Sequence, residues 1–127
     1  MKNLIFYRCN HCGNVVIKLV DKKVPVFCCG EAMQELKPNT TDGAIEKHKP
    51  VLTVKDDVVE VVVGDVLHPM MENHYITNII LKTDKGYYVK DLLPSDEPKT
   101  EFCIKNEKIE NVYAYCNLHG LWAGDLN

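Results

Sequence analysis

The chain is 127 residues long, enough for one ordinary domain or for a small domain joined to a very small one. At 46% hydrophobic and 26% charged residues its composition is globular, and a formal charge of -3 lacks the basic surplus that phosphate backbones demand, which argues against nucleic acid as a partner. No apolar run approaches a membrane span, and Leu4-Ile5-Phe6 is too short for a secretory signal core, so no membrane association and a cytoplasmic location are expected.

Branched and aromatic residues predict short strands over 4–8, 14–20 and 24–27, with turn signals at Cys12-Gly13-Asn14, Asp21-Lys22-Lys23 and Cys29-Gly30-Glu31. A unit this small buries little apolar surface and needs a staple, for which a metal would serve. The polar stretch 38–43 is turn-rich and reads as a linker, so a head over 1–37 and a body over 38–127 are expected. One helical turn is expected over 42–47, capped by Thr41 or Asp42. From Pro50 onward the pattern is β, with strands over 51–55, 58–63, 75–83, 87–92, 100–105, 109–115 and 121–123, and Asp84-Lys85-Gly86 as a hairpin loop. Strands this short and evenly spaced, with no good helix between them, predict an antiparallel β-sandwich.

Six cysteines are many for a reducing compartment, where structural disulfides are disfavoured and metal ligation or thiol chemistry is favoured. Cys9-Asn10-His11-Cys12 is a C-x-x-C knuckle, and Cys28-Cys29 follows after an interval of 15 residues. Together they make a candidate tetrahedral site of four thiolates. Neighbouring residues present their sulfurs less freely than a knuckle does, so the tetrahedron is expected to be distorted. Softness and geometry fit zinc or iron, and composition alone favours structural zinc. His11 reads as an exposed bystander.

The remaining histidines lie in loop-like contexts in the body: His48 before Lys49-Pro50, His68 before Pro69, His74 ahead of a strand, and His119 in Cys116-Asn117-Leu118-His119. Prolines stiffen two of these loops. Four imidazoles and a thiolate suit a first-row transition metal such as iron, and five ligands leave an octahedral metal one open position, which a small-molecule reaction needs. Cys103 sits in an apparent strand and reads as a small buried core residue.

With these residues in place the chain resembles desulfoferrodoxin, the two-iron form of superoxide reductase. The matching segments are Cys9-x-x-Cys12-Gly13-Asn14, Cys28-Cys29-Gly30-Glu31-x-Met33, Glu46-Lys47-His48-x-Pro50, His68-Pro69-Met70, His74-Tyr75-Ile76, Phe102-Cys103-Ile104 and Tyr115-Cys116-Asn117-Leu118-His119-Gly120. They span nearly the whole chain in the expected order. The resemblance implies a desulforedoxin-like head with one iron held by Cys9, Cys12, Cys28 and Cys29. It implies an immunoglobulin-like β-sandwich body whose catalytic iron takes His48, His68, His74 and His119 around its equator and Cys116 along its axis. It further implies Lys47 and Glu46 beside the open face, Lys47 attracting the anionic substrate and Glu46 able to bind iron in the oxidised resting state. Finally, it implies one-electron reduction of superoxide to hydrogen peroxide, a rubredoxin-like electron donor, and a homodimer. Because the protein is acidic overall, steering of an anion rests on local positive charge; Lys49 either adds to it or is an ordinary solvated lysine. Read without the resemblance, the residues also leave open a non-catalytic electron carrier with two irons and a zinc-stapled β-sandwich binding module.

Overall fold

The structure, a computed structural model, describes residues 3–41 and 43–125; the side chain of Glu46 lies outside the described residues. The chain divides into two compact units, the first ending at Lys37 and the second beginning at Pro38.

In the first unit, β1 (Phe6–Arg8) is the middle strand of a sheet, with β2 (Val15–Ile17) and β5 (Gln34–Leu36) antiparallel on either side, so that Phe6 faces both Ile17 and Leu36. The two-residue strands β3 (Phe27–Cys28) and β4 (Glu31–Ala32) pair separately. The strand expected over 14–20 stops at Ile17, and Leu19 and Val20 are exposed. The strand expected over 24–27 is reduced to β3. Neither β4 nor β5 has the branched or aromatic content that marks a strand; β5 forms because β1 offers it a pairing edge. Buried side chains in this unit include Phe6, Cys9 and Met33, a small core for its length.

The second unit opens with α1 (Ile45–His48), followed by β6 (Pro50–Lys55), β7 (Val58–Val63), β8 (Ile76–Thr83), β9 (Gly86–Asp91), β10 (Lys99–Cys103), β11 (Ile109–Cys116) and β12 (Gly120–Ala123). They form two antiparallel sheets, ordered β10-β7-β6 and β12-β11-β8-β9. Strict alternation in β7 turns Val59, Val61 and Val63 inward, where they pack with Ile76, Ile79, Leu81, Val112 and Ala114 from the other sheet. Each such side chain contributes about 1.5–3 kcal/mol on burial. Three strands against four, with β9 staying beside β8 rather than joining the smaller sheet, make an immunoglobulin-like sandwich.

Two local expectations need correction. Cys103 is exposed, not buried: alternation in β10 turns Thr100 and Phe102 inward and leaves Cys103 outside. The helical turn begins at Ile45, later than expected, with Ala44 at its N-cap and no side-chain cap. The Thr41 hydroxyl donates to the His119 carbonyl instead, so Thr41 ties the entry to α1 to a distant loop; Asp42, the other expected cap, lies outside the described residues. Gly64, at the end of β7, fixes the other side of α1. Its φ is +88°, and a Cβ there would stand 2.7 Å from the Lys47 carbonyl oxygen and 2.4 Å from that of Val66. Only glycine allows that approach.

Candidate metal centres

In the first unit, the chain leaving β1 turns tightly through the knuckle. The Gly13 N–H donates to the Cys9 carbonyl at 3.0 Å, the Cys9 N–H to the Asn14 carbonyl at 2.9 Å, and the Cys12 N–H to the Cys9 sulfur at 3.5 Å. Side chains of adjacent strand residues point to opposite faces, so Cys28 and Cys29 can share a centre only if the backbone bends between them. It does: Cys29 has φ +55° and Gly30 φ +77°. The Sγ atoms of Cys12 and Cys28 are 3.6 Å apart, those of Cys28 and Cys29 4.0 Å, and all four sulfurs lie within 4.8 Å of one another. A tetrahedron with metal–sulfur bonds of about 2.3 Å has edges of about 3.8 Å. Backbone N–H groups of Cys12 and His11 draw the Cys9 thiol down to about 6, while bonding with Cys12 and Cys9 pushes Cys29 up to about 12 and raises Cys28. Four sulfurs this close cannot all ionise without a cation among them, so the donor set fits a soft metal ion. His11 pairs with Glu31 at 3.0 Å in an exposed position and is not part of the group.

In the second unit, His48 ends α1, His68 follows the β7 loop, His74 closes a tight turn, and Cys116 ends β11. Met71 and His74 exchange two backbone hydrogen bonds, 2.9 and 3.0 Å, which set the turn carrying His74. The pairing of β11 with β8 steps from Tyr115↔Asn78 to Cys116↔Ile76, an irregularity of the kind that re-aims side chains beside active sites. Cys116 keeps the inward face of Val112 and Ala114 and is fully buried.

Donor atoms of His48, His68, His74 and Cys116 lie within 4.8 Å of one another. His119 joins them: its Nδ1 is 3.0 Å from His48 Nε2 and 4.0 Å from Cys116 Sγ, and its ring centroid is 5.1 Å from that of His74. The far sides of the rings fix their tautomers. His48 Nδ1 lies 2.7 Å from the Ala44 carbonyl and His68 Nδ1 2.7 Å from the Pro69 carbonyl. A carbonyl only accepts, so each Nδ1 carries the proton and each Nε2 presents a lone pair inward. The Nε2 atoms of His68 and His74 are buried with no hydrogen-bond partner. Buried acceptors without donors are costly unless something electropositive sits between them. Burial lowers the His68 imidazole to about 4; His74 is lowered by burial first and then by the charges of His119 and Lys47. Burial raises the Cys116 thiol, opposed by the N–H groups of His119 and Leu118. Neutral imidazoles converging with one sulfur fit a first-row transition metal, for which the thiol would ionise on binding.

Lys47, just before His48 on α1, is exposed, and its charge reaches His74. Lys49 is engaged by Asp125 at 2.8 Å, so its charge is partly neutralised. Several residues that build this site gave no sequence signal. Trp122 stacks on His48 and donates to the His119 carbonyl. The Asn117 side chain accepts from the Tyr75 N–H at 3.0 Å and donates to the Asn73 carbonyl at 3.1 Å, gripping the backbone on both sides of His74. Gly43 leaves space that a side chain would take from His48, Trp122 and His119. Asn117 sits between two ligand candidates in sequence, but only its contacts reveal what it does.

The family model described as desulfoferrodoxin matches residues 40–125. The desulfoferrodoxin of Nitratidesulfovibrio vulgaris is 46% identical over 119 residues, covering 94% of this chain and 94% of its own. That of Syntrophotalea carbinolica is 40% identical over 124 residues, covering 98% of each. Among solved structures, the superoxide reductase from Treponema pallidum superposes with a TM-score of 0.82 at 34% identity, over 98% of this chain and 100% of its own.

Proposed function

We propose that this chain, which belongs to the desulfoferrodoxin family, is a superoxide reductase. The observation that carries this reading is the convergence of His48, His68, His74, His119 and Cys116, with two buried imidazole nitrogens left unpartnered. These residues would hold one iron, and Cys9, Cys12, Cys28 and Cys29 a second. Bound at the histidine site, iron supplies the single electron that superoxide needs. One superoxide, one electron and two protons give one hydrogen peroxide, and no dioxygen is released.

The protein's own residues prepare that reaction. Carbonyls of Ala44 and Pro69 hold two imidazoles in the ligating tautomer. Buried Cys116 provides an electron-rich thiolate. Lys47 provides local positive charge that draws a small anion toward the site despite the acidic surface. Glu46, whose side chain lies outside the described residues, is given by the family resemblance alone as a residue able to bind the iron in the oxidised resting state. A one-electron carrier of the rubredoxin type renews the electron consumed in each turnover. In the first unit Val15, Val16, Leu19, Val20, Val24 and Phe27 are exposed, which supports pairing of two chains into a homodimer. Two donor sets rich in thiols, which ligate metal only while reduced, support a reducing, cytoplasmic setting and a role in superoxide detoxification. No helix among the described residues is long and apolar enough to cross a membrane.

The test is a superoxide pulse delivered to the reduced, iron-loaded protein. Oxidation within the pulse with peroxide as product is expected. Release of dioxygen in step with peroxide would make it a dismutase, and no reaction with superoxide would leave only a carrier. A colourless, zinc-only protein from iron-replete cells would defeat the iron reading altogether.

A further inference from the structure

The Asn14 side chain reaches from the knuckle to the second cysteine pair. Its Nδ2 is 3.6 Å from the Cys28 sulfur. The residue is pinned from the other side, because its carbonyl accepts the Cys9 N–H at 2.9 Å. Sulfur next to an amide selects the orientation in which the N–H₂ faces it, since the amide oxygen would repel a thiolate. Asn14 therefore connects a ligand of the knuckle, through its backbone, with a ligand of the other pair, through its side chain.

We propose that Asn14 is a positioning residue that raises the reduction potential of the four-cysteine centre by donating an N–H···S hydrogen bond to Cys28. The inference rests on the reading of that centre as an iron site. Four thiolates around ferric iron carry a net charge of -1, and around ferrous iron -2. One electron enters, and no bond is made or broken and no proton is required. A donor aimed at sulfur stabilises the more negative state more, so it favours reduction; hydrogen bonds to sulfur are among the features that set potentials in iron–thiolate centres. The amide is exposed, and water competes for the same sulfur, so the expected effect is modest.

The experiment is a spectroelectrochemical titration of the full-length, iron-loaded protein with dithionite and ferricyanide in the presence of mediators, comparing the parent with Asn14→Ala and Asn14→Asp. In Asn14→Ala the ratio of reduced to oxidised head centre at a fixed potential should fall roughly threefold to tenfold, ~30 to ~59 mV for one electron. Asn14→Asp has the same shape but an anionic oxygen in place of the donor, and it should fall further. The iron–sulfur stretching bands of the head should move to higher frequency, while the potential of the histidine-ligated centre stays unchanged. If both variants keep the four-thiolate spectrum and the parent's potential, the proposal is wrong. If iron is lost but the loaded fraction titrates like the parent, Asn14 is scaffold only and the proposal is equally wrong. A parent head that carries zinc and no visible bands would refute the iron reading itself, and the inference with it.

Discussion

Trp122 lies nearly flat on His48, with ring centroids 4.9 Å apart and planes at 25°, and its indole N–H donates to the His119 carbonyl at 3.1 Å. One fully buried side chain thus braces two candidate ligands from different elements. Trp122→Ala should cost about 3–5 kcal/mol, since it removes a large buried ring. Trp122→Phe keeps a stacking face and loses the N–H, while the His119 carbonyl still accepts from Thr41, so about 1 kcal/mol is expected. Denaturant unfolding followed alongside release of the histidine-site iron to a chelator checks both. Equal effects of the two variants would show that the stack contributes nothing.

Asn117 holds the turn of His74 through two side-chain hydrogen bonds. Asn117→Ala should lower stability by about 1–3 kcal/mol, at roughly 0.5–1.5 kcal/mol per bond, and speed iron loss from the histidine site. Asn117→Asp keeps the acceptor for the Tyr75 N–H and should recover part of that loss. Iron retention equal to the parent in Asn117→Ala would mean the turn holds itself.

Gly64 permits the close approach of α1 that sets His48. In Gly64→Ala, strain at φ +88° and overlap with two carbonyl oxygens should together cost roughly 2–5 kcal/mol. Because the overlap falls on the Lys47 carbonyl, one residue from His48, the histidine site should lose iron while the four-cysteine centre keeps its spectrum. Separate metal assays of the two centres read this directly.

Lys47 is the positive charge beside His74. Lys47→Ala should slow the second-order reaction with superoxide roughly threefold to tenfold and flatten its dependence on ionic strength. Lys49→Ala should do less, because Asp125 already balances that charge. Pulse experiments over a range of salt concentrations compare them, and an unchanged rate in Lys47→Ala removes the residue from the steering role.

In the second unit, Glu107 accepts from Thr83 at 2.6 Å and from the Tyr88 hydroxyl. Those bonds, that of Thr83 first, hold its carboxyl below the ordinary value of 4.5, and bonding to Glu107 raises Tyr88 above 10.0. A lowered carboxyl means the unfolded chain takes up the proton first. The contribution of Glu107 is therefore complete above pH 4.5 and is lost as pH falls through its folded value. The raised tyrosine acts in the opposite sense, complete below pH 10.0 and lost as pH rises further. Thermal midpoints measured across pH should show both limbs, and Glu107→Gln should shrink the acid one. An identical acid limb in Glu107→Gln would show that the carboxylate does not matter to stability.

The sequence by itself determined the two clusters of donors and the β pattern, because these depend on residue type and local period. Alternation in Val58–Val63 and the C-x-x-C and C-x-x-H spacings are written along the chain. Only the tertiary structure decided which face Cys103 takes, that β5 is a strand, and that Thr41 serves the His119 carbonyl rather than α1. It alone revealed the carbonyls that fix the tautomers of His48 and His68 and the grip of Asn117 and Trp122. The physical reason is that ligand identity is a property of side-chain chemistry, whereas orientation is set by hydrogen bonds between segments distant in sequence, such as the 71 residues separating His48 from His119.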